Sequence, residues 1–306
     1  MAYARFCAPA YHVGVALFLI GLAASLPEAR AQAVREAAPT PTDSALAAVV
    51  DRQADRGPGV PTSMFGTYVR RGELLIYPFF EYYRANRYEY KPSDFGATGD
   101  LDHHGKLRTS ELLLFGSYGI TDNVAVEWEA AGVRASLAKA PDDPSLLAAR
   151  TTEAGLGDVE GQIRWRWKRE TDHRPELFSY AEMVIPHHHD RPLTGTGGVE
   201  LKFGTGMIRG FAHGTLTVRG AVEYAADSTS HFDYGEYAVE YLKRLGPHWR
   251  VFVAVEGKQD EASAIVEAQL HLTPNVFLRL NSGQGLTKKS TNWAPEVGVV
   301  FSLGRH

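Results

Sequence analysis

The sequence predicts an all-β fold: a transmembrane, antiparallel, up-and-down β-barrel of about twelve strands, with a short N-terminal segment ahead of it. Three observations predict it. Runs that alternate apolar and polar residues recur from residue 73 to residue 303, most of them as long as a tilted bilayer-crossing strand. The connections between these runs alternate between short and long. Charged residues gather on one face of nearly every run, and the other face stays apolar.

The chain is 306 residues long, enough for one large barrel or two ordinary domains. Residues 1–31 read as an export signal: Arg5 supplies the positive region, Val13 to Leu26 the apolar region, and Ala29-Arg30-Ala31 a small-x-small cleavage site. The apolar run is shorter than the roughly 20 residues that span a bilayer as a helix. Cys7 is the one cysteine in the sequence and lies inside this signal, so the exported chain has no disulfide and no thiolate. A formal net charge of −4 gives no basic surface for nucleic acid. No later stretch is apolar enough for a membrane helix, which leaves a β-protein, either wet or in lipid.

Residues 32–72 form the N-terminal segment, rich in Ala, Pro and Asp over 32–62. Ser44 to Arg56 has the composition of a short helix capped at Ser44, and Gly57-Pro58-Gly59-Val60-Pro61 ends it. Two expectations stand side by side: a tail, or a plug seated in the barrel mouth.

The barrel proper is expected over residues 73–306. Its runs cover about 73–90, 107–118, 123–137, 157–168, 176–186, 197–208, 214–227, 232–244, 249–260, 263–273, 276–287 and 293–303. Short connections include Gly119–Asn123, Glu170–Arg174, Ile208–His213, Leu245–His248 and Thr273–Asn275; the interleaved ones, such as 91–106, 138–156 and 187–196, are mostly longer and more polar. Short periplasmic turns and long outer loops are the asymmetry of bacterial outer-membrane barrels, and they place both termini in the periplasm.

Each run has two faces. Val251, Val253 and Val255 oppose Phe252, Ala254, Glu256 and Lys258; Val266, Ala268, Leu270 and Leu272 oppose Glu267, Gln269 and His271. A dry core does not solvate such charges, because an unpaired buried charge costs several kcal/mol. The pattern is that of a barrel turned inside out, apolar to lipid and charged to the lumen. The lumen candidates are Glu81, Glu111, Glu127, Glu129, Glu160, Arg164, Arg166, Glu182, Glu200, Lys202, Arg219, Glu223, Glu236, Glu240, Glu256, Lys258, Glu267, Arg279 and Glu296. Such charges either rigidify the wall or bias what passes. Outward aromatics fall at two levels, Tyr118, Trp165, Trp167, Tyr241, Trp249 and Phe301 at one end, Tyr82, Tyr224, Tyr234 and Trp293 at the other, as interfacial girdles do.

The last run carries Glu296, Gly298, Phe301 and Leu303 in an order that resembles the terminal-strand signal of bacterial outer-membrane barrels. That resemblance implies the barrel-assembly machinery and outer-membrane lipid as partners, and pairing of the last strand with the first. Gly155-Leu156-Gly157-Asp158, read as a tight turn opening the fourth strand, joins Ile185-Pro186, Gly195-Thr196-Gly197, Asn281–Thr287 and Pro295-Glu296-Val297-Gly298. Together these resemble the MetA-pathway-of-phenol-degradation family over roughly residues 73–303. Its members are outer-membrane barrels grouped with transporters and similar to long-chain fatty-acid channels. The resemblance implies passage of small, often apolar or aromatic solutes, and no cofactor. The glutamate-rich inner face and the histidine pairs depart from it.

The histidines of His103-His104 and His187-His188-His189 are expected on two outer loops, without the spacing of a metal site. A lipid hydrolase on a barrel of this size needs nucleophile, base and orienter together; Ser230-His231 is the nearest candidate and has no evident third member. The expected function is therefore a channel or transporter, with a plugged, non-conducting barrel as the alternative.

Overall fold

The computed structural model describes residues 55–187, 191–226 and 232–304. The signal region, the helix expected to begin at Ser44, Ser230-His231, and His188 and His189 lie outside the described residues.

A two-stranded hairpin comes first, β1 (Val60–Pro61) with β2 (Tyr68–Val69). Twelve antiparallel strands follow and close on themselves. They are β3 (Leu74–Tyr90), β4 (His103–Gly119), β5 (Val124–Ala138), β6 (Arg150–Lys168), β7 (Glu176–Ile185), β8 (Glu200–Phe211), β9 (Gly214–Ala225), β10 (Phe232–Arg244), β11 (Trp249–Lys258), β12 (Glu261–Thr273), β13 (Val276–Gly285) and β14 (Trp293–Leu303). Each pairs with its chain neighbours, and β14 pairs with β3 through Val297↔Phe80 and Phe301↔Ile76. Closure leaves no edge with unpaired backbone groups, the condition for a sheet in hydrocarbon.

The alternation seen in the sequence sorts side chains between two environments. Leu112, Leu114, Phe203, Val239, Val255, Val266 and Leu280 are exposed, while Glu127, Glu267, Gln269 and Arg279 are buried. A water-soluble protein rarely shows so much contiguous apolar surface. The outside is built for lipid and the inside for hydrogen bonds.

The structure corrects the sequence reading in three places. β4 begins at His103 and β6 at Arg150, earlier than the alternation indicated, so His103 and His104 belong to a strand and not to a loop. Beyond the lipid band the outward positions His104, Lys106, Arg108 and Thr152 are polar, which erases the period-two signal while the ladder continues. Gly155-Leu156-Gly157-Asp158 is not a turn: it lies inside β6, and neither glycine has a positive φ. Leu156 pairs with Gly132 and Val159 with Ala130, so β6 carries one extra residue there. This bulge turns Gly157 and Asp158 both inward.

The inner face is also less uniformly polar than the charge pattern implied. At the short-turn end Leu75, Tyr77, Phe79, Leu113, Phe115, Phe277 and Val300 point in and pack with Val60, Met64 and Val69 of the hairpin. At the long-loop end of β3–β5 a second apolar cluster joins Tyr83, Leu107, Val133 and Leu137 to Ala140 and Leu193 from the loops. The charged level lies between these two apolar layers.

Candidate functional site

The predicted lumen residues all fall on the inward parity of their strands, but they do not form one environment. On β7–β11 the bases bridge the acids. The Lys202 ammonium donates to Glu182 at 2.7 Å and to Glu236 at 2.6 Å. Arg219 donates to Glu240 at 2.8 Å and Glu236 at 2.9 Å, and reaches Glu256 at 3.4 Å. Lys258 donates to Glu223 at 2.6 Å. On β12 and β13 Arg279 holds Glu267 through Nε at 3.1 Å and Nη2 at 2.5 Å, and lies 4.9 Å over the Tyr77 ring. Charge-assisted and bidentate bonds of this kind offset the desolvation of groups buried this deeply.

The remaining acids lie side by side. Glu296 pairs with Glu81 across β14 and β3, Glu81 with Glu111 across β3 and β4, and Glu129 with Glu160 across β5 and β6. Phenols donate to two of them: Tyr83 to Glu111 at 2.8 Å and Tyr77 to Glu296. Glu200 stands at the long-loop end of β8, opposite Val184. Directly opposed like charges repel across a ladder, so this row is held in place by the fold rather than by its own attraction.

Two spaces open against that row. One, whose ≈ 570 Å³ includes open solvent, is bounded by Glu111, Glu129, Glu160, Leu107, Val133 and Leu193, among others. The other, whose ≈ 540 Å³ also includes open solvent, is bounded by Glu81, Glu256, Glu296, Phe65, Ile265 and Ala294, among others. Tyr83 belongs to the wall of both.

Residues 55–72 stand beneath these spaces. Arg56 donates to Glu170 at 3.0 Å and Glu176 at 3.2 Å, and Asp55 accepts from the Arg244 amide at 2.6 Å. Ser63, at the hairpin tip, donates through its amide at 2.9 Å and its hydroxyl at 2.6 Å to Glu127. Phe65 stacks on Phe252 at 4.7 Å, and Gln269 donates to its carbonyl at 3.3 Å. Arg166 is spent here rather than in the open lumen: it donates to the Gly59 carbonyl and faces Glu176 at 3.4 Å. Arg164 sits 3.9 Å from Glu127 and stacks over Phe178 and Tyr180 at 5.2 and 5.0 Å.

Loops cover the opposite end. Asp158, turned inward by the bulge, accepts from the Thr196 amide at 2.6 Å, the Thr196 hydroxyl at 2.7 Å and the His187 amide at 3.2 Å. Gly157 leaves the room the loop needs, since a Cβ there would stand 3.0 Å from Val133 and 3.4 Å from the Thr194 carbonyl. In the 139–149 loop the Asp143 carboxylate accepts from Tyr90 at 2.8 Å and the Ser145 amide at 2.8 Å, with His103 at 3.9 Å. Burial pushes the Asp143 carboxyl up, and the Ser145 and Tyr90 hydrogen bonds outweigh it and hold the group below the usual carboxylate range.

The charge pattern alone missed several of these residues. Glu176 shares the parity of Glu182 on the same run and could have been found by counting twos. Tyr77 and Tyr83 lie on inward parities but carry no charge to draw notice. Arg56 and Ser63 have no strand periodicity, and their partners are more than sixty residues away in sequence.

No family model and no curated sequence matches the chain. Among solved structures the fold is similar to an outer-membrane channel from Pseudomonas putida F1, at 12% identity and a TM-score of 0.59, over 80% of this chain and 100% of that one. A looser likeness joins it to the translocator domain of the autotransporter NalP from Neisseria meningitidis, at 14% identity and a TM-score of 0.46, over 75% of this chain and 88% of that one. The toluene transporter TbuX from Ralstonia pickettii is looser still, at 8% identity and a TM-score of 0.41, over 77% of this chain and 90% of that one.

Proposed function

We propose that the protein is a bacterial outer-membrane channel that passes small solutes. The observation that carries this reading is the closed barrel with an apolar exterior and a charged, cavity-bearing interior. A wall that only had to hold its shape would be filled, as small barrels are. The similar fold of the Pseudomonas putida F1 channel supports it, as does the resemblance of the glycine motifs to the MetA-pathway family. On this reading residues 1–31 direct export, the short turns face the periplasm, and β14 presents the assembly signal. Its outward Val297, Val299, Phe301 and Leu303 meet lipid.

The hairpin supports a second element of the reading: residues 55–72 plug the periplasmic mouth. Its polar anchors, Asp55, Arg56 and Ser63, each bind the barrel wall and not one another. Liposome swelling with small sugars and amino acids tests both parts. The intact chain gives slow but measurable flux, and deletion of residues 55–72 raises it. No flux from either form sinks the channel reading and favours a structural barrel; equal flux from both sinks the plug.

A further inference from the structure

We propose that the two lumen cavities form a binding site for small organic cations, an ammonium group on an aromatic or short aliphatic body. The site's role in transport rests on the channel reading; the binding itself does not.

The first observation is the make-up of the walls. The charged side chains that border both spaces are acids only, Glu111, Glu129, Asp158 and Glu160 around one, Glu81, Glu256 and Glu296 around the other, and among the described residues no Lys, Arg or His lines either. The bases of the lumen stand outside both walls, in the Lys202, Arg219, Lys258 and Arg279 ion pairs, and Arg219 among them reaches the cavity acid Glu256 at 3.4 Å. An anion entering here meets carboxylates and no compensating donor of positive charge.

The second observation is independent of that count. The Glu256 side chain is 3% exposed, yet its Oε1 has no hydrogen-bond partner among the described residues, and the residue borders the second cavity. Its other oxygen is only at the limit of a hydrogen bond to Arg219, 3.4 Å away. A buried carboxylate oxygen left without a donor is costly, and an ammonium N–H arriving in the cavity supplies one. The same positive charge would relieve the repulsion along Glu296, Glu81 and Glu111.

The third observation separates an organic cation from a metal ion. The acids are spread along strands, and among the described residues no group of His, Cys, Asp or Glu could hold a metal. Between the acids stand Leu107, Val133, Leu193, Phe65 and Ile265. A bare ion leaves that apolar surface unmatched, whereas an arylammonium or alkylammonium covers it with its body and turns its charge to the carboxylates.

Three probes of one shape and different charge test this on the full chain folded in detergent: benzylammonium, benzyl alcohol and benzoate, their binding read by saturation-transfer NMR and titration. Benzylammonium is expected to bind about tenfold tighter than benzyl alcohol, the scale of one charge-assisted contact, with benzoate the weakest. Glu81→Gln combined with Glu256→Gln weakens benzylammonium toward the benzyl alcohol value, and an unchanged heat-modifiable gel band certifies the fold. Glu160→Gln, in the other cavity, weakens benzylammonium alone. Equal binding of all three probes, or a preference that survives these variants, overturns the proposal. Because binding is read without a bilayer, zero flux in liposomes would remove the channel reading and leave this result standing.

Discussion

On β7–β11 Lys202 stands between Glu182 and Glu236, and Arg219 reaches three carboxylates. On β14, β3 and β4 of the same barrel Glu296, Glu81 and Glu111 follow one another with no base between them. The two stretches are built from the same residue type at the same inward parity. What differs is whether a neighbouring strand sets a base against the acid, as β8 sets Lys202 opposite Glu182, and that decides whether the wall is filled by its own ion pairs or left facing open space. The first stretch is held by its own ion pairs, and in the second Glu111 and Glu296 are held by phenols beside open space.

The largest effect is expected where the comparison predicts most cooperation. Arg219→Ala leaves Glu236, Glu240 and Glu256 without their shared base and should cost roughly 3–5 kcal/mol, as breaking a buried ion-pair network does. Loss of the folded, heat-modifiable gel band at a much lower temperature is the readout. Next comes volume on the opposite stretch: a Cβ at Gly298 would stand 2.4 Å from the Phe79 Cβ and 2.5 Å from Tyr77, so Gly298→Val should cost about 1–3 kcal/mol and impair insertion. Normal folding of that variant would contradict the tight floor under the acid row.

Two smaller effects sharpen the contrast. The Asp143 carboxyl is held below its unfolded value, so its contribution to loop stability is present above the unfolded pKa of about 3.9 and is lost as pH falls through the folded value. Protease cutting in 139–149 should therefore rise in acid, and Asp143→Asn should show the raised cutting at neutral pH. The smallest effect has the opposite sign to the first. Glu81→Gln removes one of three adjacent carboxylates and should be neutral or stabilising by about 0.2–1 kcal/mol. A destabilisation as large as that of Arg219→Ala would erase the distinction between the two stretches.

Most of the barrel was legible in the sequence because a strand between lipid and lumen must alternate, and each of the twelve runs does. The strand ends at His103 and Arg150 were not legible, because above the lipid band both faces are polar and the period vanishes. The parity change at Gly157-Asp158 was not legible either: a bulge is one extra residue, and the same glycines read equally well as a turn. Of the site, the identity of the inward charges could be read, but not their division into acids set against bases and acids set against acids. That division depends on which strand lies beside which register, as with Glu81 opposite Glu111, and on Arg56 and Ser63 meeting Glu176 and Glu127 only after closure.

If the acid stretch, and not the ion-paired one, sets what the lumen accepts, the full chain in a planar bilayer under a KCl gradient should show a reversal potential of cation preference. Glu81→Gln and Glu160→Gln should each weaken it. Anion preference in the full chain, or a reversal potential that neither variant moves, would contradict it.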